Sequence, residues 1–170
     1  MELVETIPQP VITAVNGIAT AAGCQLVAAS DLSVVGNSSK FSTPGVNIGL
    51  FCSTPAVPLV RCIGRKAAFD MLVTGRFVPA SEAKLLGLVS HVTDDLDVDD
   101  TALRLATSIA SRSGSALAIG KQTFKNQISM NLKDAYACAS TAMVENMGKY
   151  DAKEGIDAFL QKRNPEWRNQ

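Results

Sequence analysis

Between Val11 and Asp31 the chain reads VITAVNGIATAAGCQLVAASD, and this stretch constrains the fold more than any other. A β-branched strand meets Asn16-Gly17, then a run of small residues, Ala19-Thr20-Ala21-Ala22-Gly23, and then an apolar helix from Cys24 to Ala29. A second strand pattern follows at Leu32–Val35. Strand, helix and strand in so short a span predict a parallel crossover. Only small side chains stand where the backbone enters the helix. A ligand group can therefore approach the first helical N–H groups, where the helix dipole favours negative charge. Backbone donors placed this way can hold a developing oxyanion. Tight packing of helix on strand uses small residues equally well, so the residues alone leave both readings open.

The rest of the composition narrows the function classes. At 170 residues and 46% apolar content the chain can bury a core of ordinary domain size, and 19% charged residues argues against global disorder. Sixteen basic residues balance sixteen acidic ones. The usual electrostatic ground for nucleic-acid or membrane-surface binding is therefore absent, and neither partner is expected. No apolar run approaches the roughly 20 residues that cross a bilayer. Cys24, Cys52, Cys62 and Cys138 are scattered, without a C-x-x-C, and the chain has one histidine. Neither a metal site nor a disulfide framework is expected, and reduced thiols fit a cytosolic or matrix-like compartment. The opening MELVETIPQP has the features of neither a signal peptide nor a transit sequence.

Two regions of different character are expected, residues 1–96 as an α/β core and 97–170 as a helical region. In the first, strands are expected at Val11–Val15, Leu32–Val35 and Leu88–Thr93, with a short extended piece at Lys40–Ser42 before the loop Thr43-Pro44-Gly45. Helices are expected at Ala22–Ala29, Ser53–Cys62 (with Pro55 and Pro58 inside it) and Lys66–Thr74, and another begins in Pro79-Ala80-Ser81-Glu82-Ala83 and ends at Gly87, with Ser81 as its cap. From Asp97 onward apolar residues recur at helical spacing, giving helices over 99–112, 115–128, 131–148 and 152–161. A parallel sheet of three or four strands leaves edges and a face uncovered, so the chain reads as the later part of a larger α/β fold.

Several residues attract a functional reading and carry little of it. His91 sits in a strand pattern with no carboxylate spaced to join it. Asp94, Asp95, Asp97, Asp99 and Asp100 lack the D-x-D-x-D-G loop of a calcium site and precede a helix, whose start favours acids. Cys52 has no visible base to activate it. Gly17 and Gly23 do not form G-x-G-x-x-G, and no G-x-S-x-G occurs.

Several motifs in register resemble those of the crotonase superfamily (enoyl-CoA hydratase/isomerase). These are PVITAVNG at 10–17 with AGCQL at 22–26 and Asp31; FSTPGVNIG at 41–49; LVTG at 72–75; ASEA at 80–83 with Gly87-Leu88-Val89; and GIDAFLQKR at 155–163. The resemblance covers essentially all 170 residues, and the wording ATAAGCQL with GVNIGLFCSTP is similar to a subgroup that is typically mitochondrial. It implies a ClpP/crotonase-like spiral of ββα units, of which this is the C-terminal portion, followed by a helical trimerisation region. It implies an acyl-CoA thioester as ligand, assembly as a homo-trimer or hexamer, and no cofactor apart from the coenzyme A of the ligand.

The same resemblance assigns residues. Ala22 supplies a backbone N–H to the oxyanion hole, and Ala21, Gly23, Gly45, Ile48 and Gly49 line the acyl site. Phe159 and Lys162 stand where relatives contact the nucleotide, although Phe159 also suits a core anchor and Lys162 a solvated charge. Gln25 and Gly45 occupy the positions of the two hydratase glutamates, so no acid–base residue is identified. The family's N-terminal region, with the other oxyanion donor, is absent. The expected reading is a crotonase-like acyl-CoA-binding protein of lipid metabolism that keeps one oxyanion donor and lacks the acid–base pair. A non-catalytic assembly subunit, a weak enoyl-CoA hydratase, and a short isoform or incomplete gene model stay open beside it.

Overall fold

Val34 and Val35, both fully buried, anchor the first sheet. They lie in β3 (Leu32–Gly36), which pairs in parallel with β1 (Ile12–Val15) on one side and β6 (His91–Thr93) on the other. A central parallel strand is covered on both faces, so burial does not alternate: Ser33 to Gly36 are all buried, with Ser33 satisfied by Ser90. The second sheet has the order β2 (Ile18–Thr20), β4 (Lys40–Ser42), β5 (Val78–Pro79). Its β2–β4 pair is parallel and its β4–β5 pair antiparallel. β1 and β3 are each followed by a strand of the second sheet, β2 and β4, and then by helix, whereas β5 precedes β6. Gly17, at φ +95°, turns β1 into β2, and Ser39 closes the turn by accepting from Gly17 N–H and donating to the Val15 carbonyl.

The computed structural model describes residues 1–170, which form two units: Met1–Glu5 with Val11–Ala106, and Thr6–Pro10 with Thr107–Gln170. In the first unit α2 (Ala22–Ala29) packs on α3 (Ser53–Cys62), and Cys24, Val27, Phe41, Leu59, Met71 and Val78 form the centre of its core. Pro58 inside α3 removes the bond to the Thr54 carbonyl, which exposure of Thr54 leaves open to water. α4 (Arg65–Thr74) and α5 (Ala80–Leu86) each end on a left-handed glycine, Gly75 and Gly87.

The structure differs from the sequence reading at short elements. It has six strands where three or four are expected, because β2 and β5, of three and two residues, are strands through their pairing with β4 and not through a pattern of their own. Ser81 does not cap α5. Pro79, already paired in β5, is the N-cap, and the Ala80 N–H is taken by the Ser39 carbonyl. The strand expected at Leu88–Thr93 shortens to His91–Thr93, since the N–H groups of Leu88 and Val89 turn back to the Ala83 carbonyl. Asp94 and Asp95 do more than favour a helix start: they hold the β3–β4 turn, accepting from Asn37 Nδ2 and Ser38 N–H. The helix that follows, α6, spans Val98–Ala110.

The second unit packs α7 (Gly114–Gln127), α8 (Leu132–Met147) and α9 (Tyr150–Gln161) together, with Ser113 and Asn131 as side-chain N-caps of α7 and α8. Two carboxylates one turn apart on α9 hold the C-terminal tail. Asp151 accepts from Ser113 Oγ at 2.6 Å and from the Arg168 and Asn169 N–H groups at 2.8 and 3.0 Å. Glu154 accepts from the Arg163 guanidinium at 2.6 and 2.9 Å and from the Glu166 N–H at 2.8 Å. Between these anchors Trp167 donates its Nε1–H to the Ser111 carbonyl.

These bonds set a pH dependence. Burial pushes the Asp151 carboxyl up, but hydrogen bonds from Ser113, Arg168, Asn169 and Ser115 outweigh it and hold it below the ordinary carboxylate range. The Arg163 guanidinium, then the Glu166 N–H, bring Glu154 down to about 2. A carboxylate depressed in the folded state stabilises it above the unfolded pKa, and that stabilisation is lost as pH falls through the folded pKa. The tail therefore stays docked at neutral pH and loosens from about pH 4 downward. Emission from Trp167, the only tryptophan, is expected to shift to longer wavelength across that acid range; a spectrum unchanged down to the Glu154 pKa contradicts this docking.

Candidate functional site

The entrance to α2 is the most unusual backbone of the first unit. Ala21 has φ +48° and ψ −112°, and it is the only non-glycine residue of that unit with positive φ. Such a conformation costs about 1–3 kcal/mol and persists only where its surroundings fix it. They do so from both sides. The Ala21 N–H donates to the Ser42 carbonyl at 3.0 Å, and the Ala21 carbonyl accepts the first bond of the helix, from Gln25 N–H at 2.9 Å. The N–H groups of Ala22 and Gly23 belong to the first turn, which has no intrahelical acceptor to offer them. Ala21 provides no side-chain cap, and both Ala22 and Gly23 are exposed.

A Cβ placed on Gly23 meets nothing nearer than Ala19 Cβ at 3.7 Å, an ordinary contact. Helix–strand packing therefore does not demand glycine there.

Across from this entrance the chain leaves β4 into a 3-10 turn, Pro44–Ile48, which holds Gly45, and Gly49 closes it at φ +76°. The bond between Ala21 and Ser42 thus sets the start of this turn beside the α2 entrance. Gly45, Ile48 and Gly49 lie along this turn, with Ile48 and Gly49 exposed. Gln25 lies half-buried one turn into α2.

Gly45 is not an empty slot awaiting a side chain. A Cβ there meets the Leu50 carbonyl oxygen at 2.8 Å, Cys52 Sγ at 2.9 Å and Cys52 N at 3.3 Å. The Leu50 N–H bonds the Gly45 carbonyl at 2.9 Å and draws residues 50–52 over the glycine.

The thiols divide by environment. Cys24 is fully buried, and burial first, then the charges of Cys52 and Cys62, push its pKa up to about 12. It is a neutral packing residue at pH 7. Cys52 is half-buried against the core beside Gly45.

Sequence reasoning missed three supports of this site. The Ser42 hydroxyl, fully buried, donates to the Gly75 carbonyl at 2.8 Å. The Thr43 hydroxyl is buried with no partner. Arg76 donates to Asp70 at 2.5 Å and to Glu82 at 2.7 and 3.1 Å, tying the loop after α4 to α5. A serine in a strand carries no pattern that announces a partner 33 residues away.

The remaining candidates lie in the second unit. Phe159 is 82% exposed while its neighbour Ala158 is buried, so the core-anchor reading of Phe159 fails. It forms one wall of a cavity of about 370 Å³ with Ala116, Asp151, Ile156, Leu160 and Trp167. Lys162 ends α9 in a left-handed conformation and is exposed.

Comparison with known proteins places these features. The family model for enoyl-CoA hydratase/isomerase matches residues 1–170. The mitochondrial enoyl-CoA hydratase domain-containing protein 3 of Rattus norvegicus is 51% identical over 167 residues, which are 98% of this chain and 56% of that protein. The crystal structure of the human enoyl coenzyme A hydratase domain-containing protein 3 superposes with a TM-score of 0.95 at 49% identity, over 98% of this chain and 66% of that one. An enoyl-CoA hydratase from Mycobacterium smegmatis gives 0.94 at 51% identity, over 96% and 64%. The chain spans about half the length of the curated relatives it matches. The expected crotonase-like fold is what these superpositions contain.

One substitution tests the packing over Gly45. Gly45→Glu is expected to lose about 1–3 kcal/mol of stability through overpacking against the Leu50 carbonyl and Cys52, and to leave crotonyl-CoA hydration at background. A variant as stable as the parent in urea denaturation contradicts the clash.

Proposed function

The chain belongs to the enoyl-CoA hydratase/isomerase family, and on that premise we propose that it binds an acyl-CoA thioester and polarises its carbonyl without the paired-carboxylate chemistry of hydration. The observation that carries this reading is the strained Ala21 turn, which leaves the Ala22 N–H open at the start of α2. The thioester oxygen accepts from Ala22 N–H, and the helix dipole favours the charge that gathers on that oxygen as an enolate-like species forms. Ala21, Gly23, Gly45, Ile48 and Gly49 bound the acyl end. Within the second unit, Phe159 and Lys162 are residues of the kinds that take adenine and phosphate, an exposed aromatic face and a cation. Coenzyme A arrives as part of the ligand, and no separate cofactor is invoked.

Proton transfer is where this chain departs from hydration. The Gln25 amide can orient a water but cannot take its proton, and Gly45 contributes no side chain. Each missing general acid or base lowers the rate about 10²- to 10⁴-fold. The names of the relatives support a mitochondrial setting. Self-assembly as a trimer or hexamer is the companion reading, favoured by Leu132, Tyr136, Met143 and Met147, which leave one stripe of α8 apolar and exposed.

Calorimetric titration with crotonyl-CoA and a medium-chain acyl-CoA, on material that sediments as a trimer or larger, tests both readings. Saturable binding with ultraviolet turnover of crotonyl-CoA at background is expected. Absence of binding by a folded sample, or robust hydration, overturns the function; a monomer overturns the assembly.

A further inference from the structure

We propose that Ser42 is the positioning residue of the thioester site, the group that keeps the Ala21–Ala22 peptide turned toward the ligand without touching it. This rests on the reading of Ala22 N–H as the oxyanion donor. The parallel register sets Thr20 beside Ser42, and the bond from Ala21 N–H to the Ser42 carbonyl carries the pairing one residue past the end of β2. That bond consumes the N–H preceding Ala22. Ala21 then turns at φ +48°, and the chain leaves the sheet with Ala22 exposed.

A strained residue relaxes unless its neighbours over-determine it. The Ser42 carbonyl holds Ala21 only if Ser42 itself cannot shift, and its hydroxyl supplies that restraint. The bond from Ser42 Oγ to the Gly75 carbonyl is buried and spans 33 residues. Its far end is rigid. Gly75 closes α4 in a left-handed conformation against the Pro44–Ile48 turn, where a Cβ would meet Pro44 Cα and Asn47 Oδ1 at 3.1 Å. The next residue, Arg76, is gripped by Asp70 and Glu82. One buried hydroxyl thereby links the end of α4 to the entrance of α2 and holds β4 and the acyl-site turn between them.

Isotope-edited infrared spectroscopy of crotonyl-CoA labelled at the thioester carbonyl provides a readout that a purely structural role does not move. In the parent protein the carbonyl stretch falls on binding. In Ser42→Ala the ligand still binds, but the downshift is lost, and the Ala21 amide exchanges with solvent about tenfold faster, the change that one hydrogen bond produces. A Ser42→Ala protein that binds with the full downshift overturns the positioning role and leaves the Ala22 reading intact. A parent protein without binding or without a downshift overturns the Ala22 reading itself. If Ser42→Ala does not fold, amide exchange in the parent decides. An Ala21 N–H protected like the β4 core beside a rapidly exchanging Ala22 supports the role, and equal exchange at the two overturns it.

Discussion

The hydrogen bond from Ala21 N–H to the Ser42 carbonyl is the interaction on which the site depends. It joins the end of the second sheet to the start of α2 and brings the two segments of the proposed acyl site to one place. It also fixes the one non-glycine residue of the first unit that adopts a left-handed φ. The strain at Ala21 is local, but the restraint that sustains it is not: it runs through Ser42 to Gly75 and the Arg76 ion pairs. In the proposed reading the donor at residue 22 is a backbone group, which needs no particular side chain at its own position.

The chemistry follows from what surrounds that donor. Hydration needs a group that takes a proton from water and another that returns one to carbon. Glutamine stands at position 25, and at position 45 the Leu50 carbonyl and Cys52 sulfur fill the space that a side chain would enter. A carboxylate side chain at position 45 therefore requires moving backbone as well as changing a residue. The relatives share the fold and the family; the proposed reading for this chain keeps thioester recognition and leaves out paired-carboxylate proton transfer.

How much of this was legible in the sequence depended on the range of the interaction. The helices after Asp97 follow from 3.6-residue periodicity and local caps, and Asn131 and Ser113 stand where caps are needed. The Val11–Ala29 stretch was legible because the strand, the small residues and the helix are consecutive. What eluded the sequence was made by distant partners. β2 and β5 are too short to carry a pattern, Asp95 meets Ser38 57 residues away, and the Ser42 hydroxyl finds Gly75 across the core. Phe159 shows the limit of periodicity: adjacent Ala158 is buried and Phe159 is not, and spacing alone does not choose between them. Gly45 shows the limit of resemblance, which does not announce that the Leu50 carbonyl and Cys52 crowd the space beside it.

The claim at the centre of this account is that one backbone group, the Ala22 N–H, meets the thioester oxygen. A titration of uniformly ¹⁵N-labelled protein with crotonyl-CoA, followed in two-dimensional amide spectra, addresses that group directly. The account predicts that the Ala22 amide proton moves downfield and saturates with the ligand, while the Ala21 amide, already bonded to Ser42, stays in place. Saturable binding that shifts other amides and leaves Ala22 unmoved would contradict it.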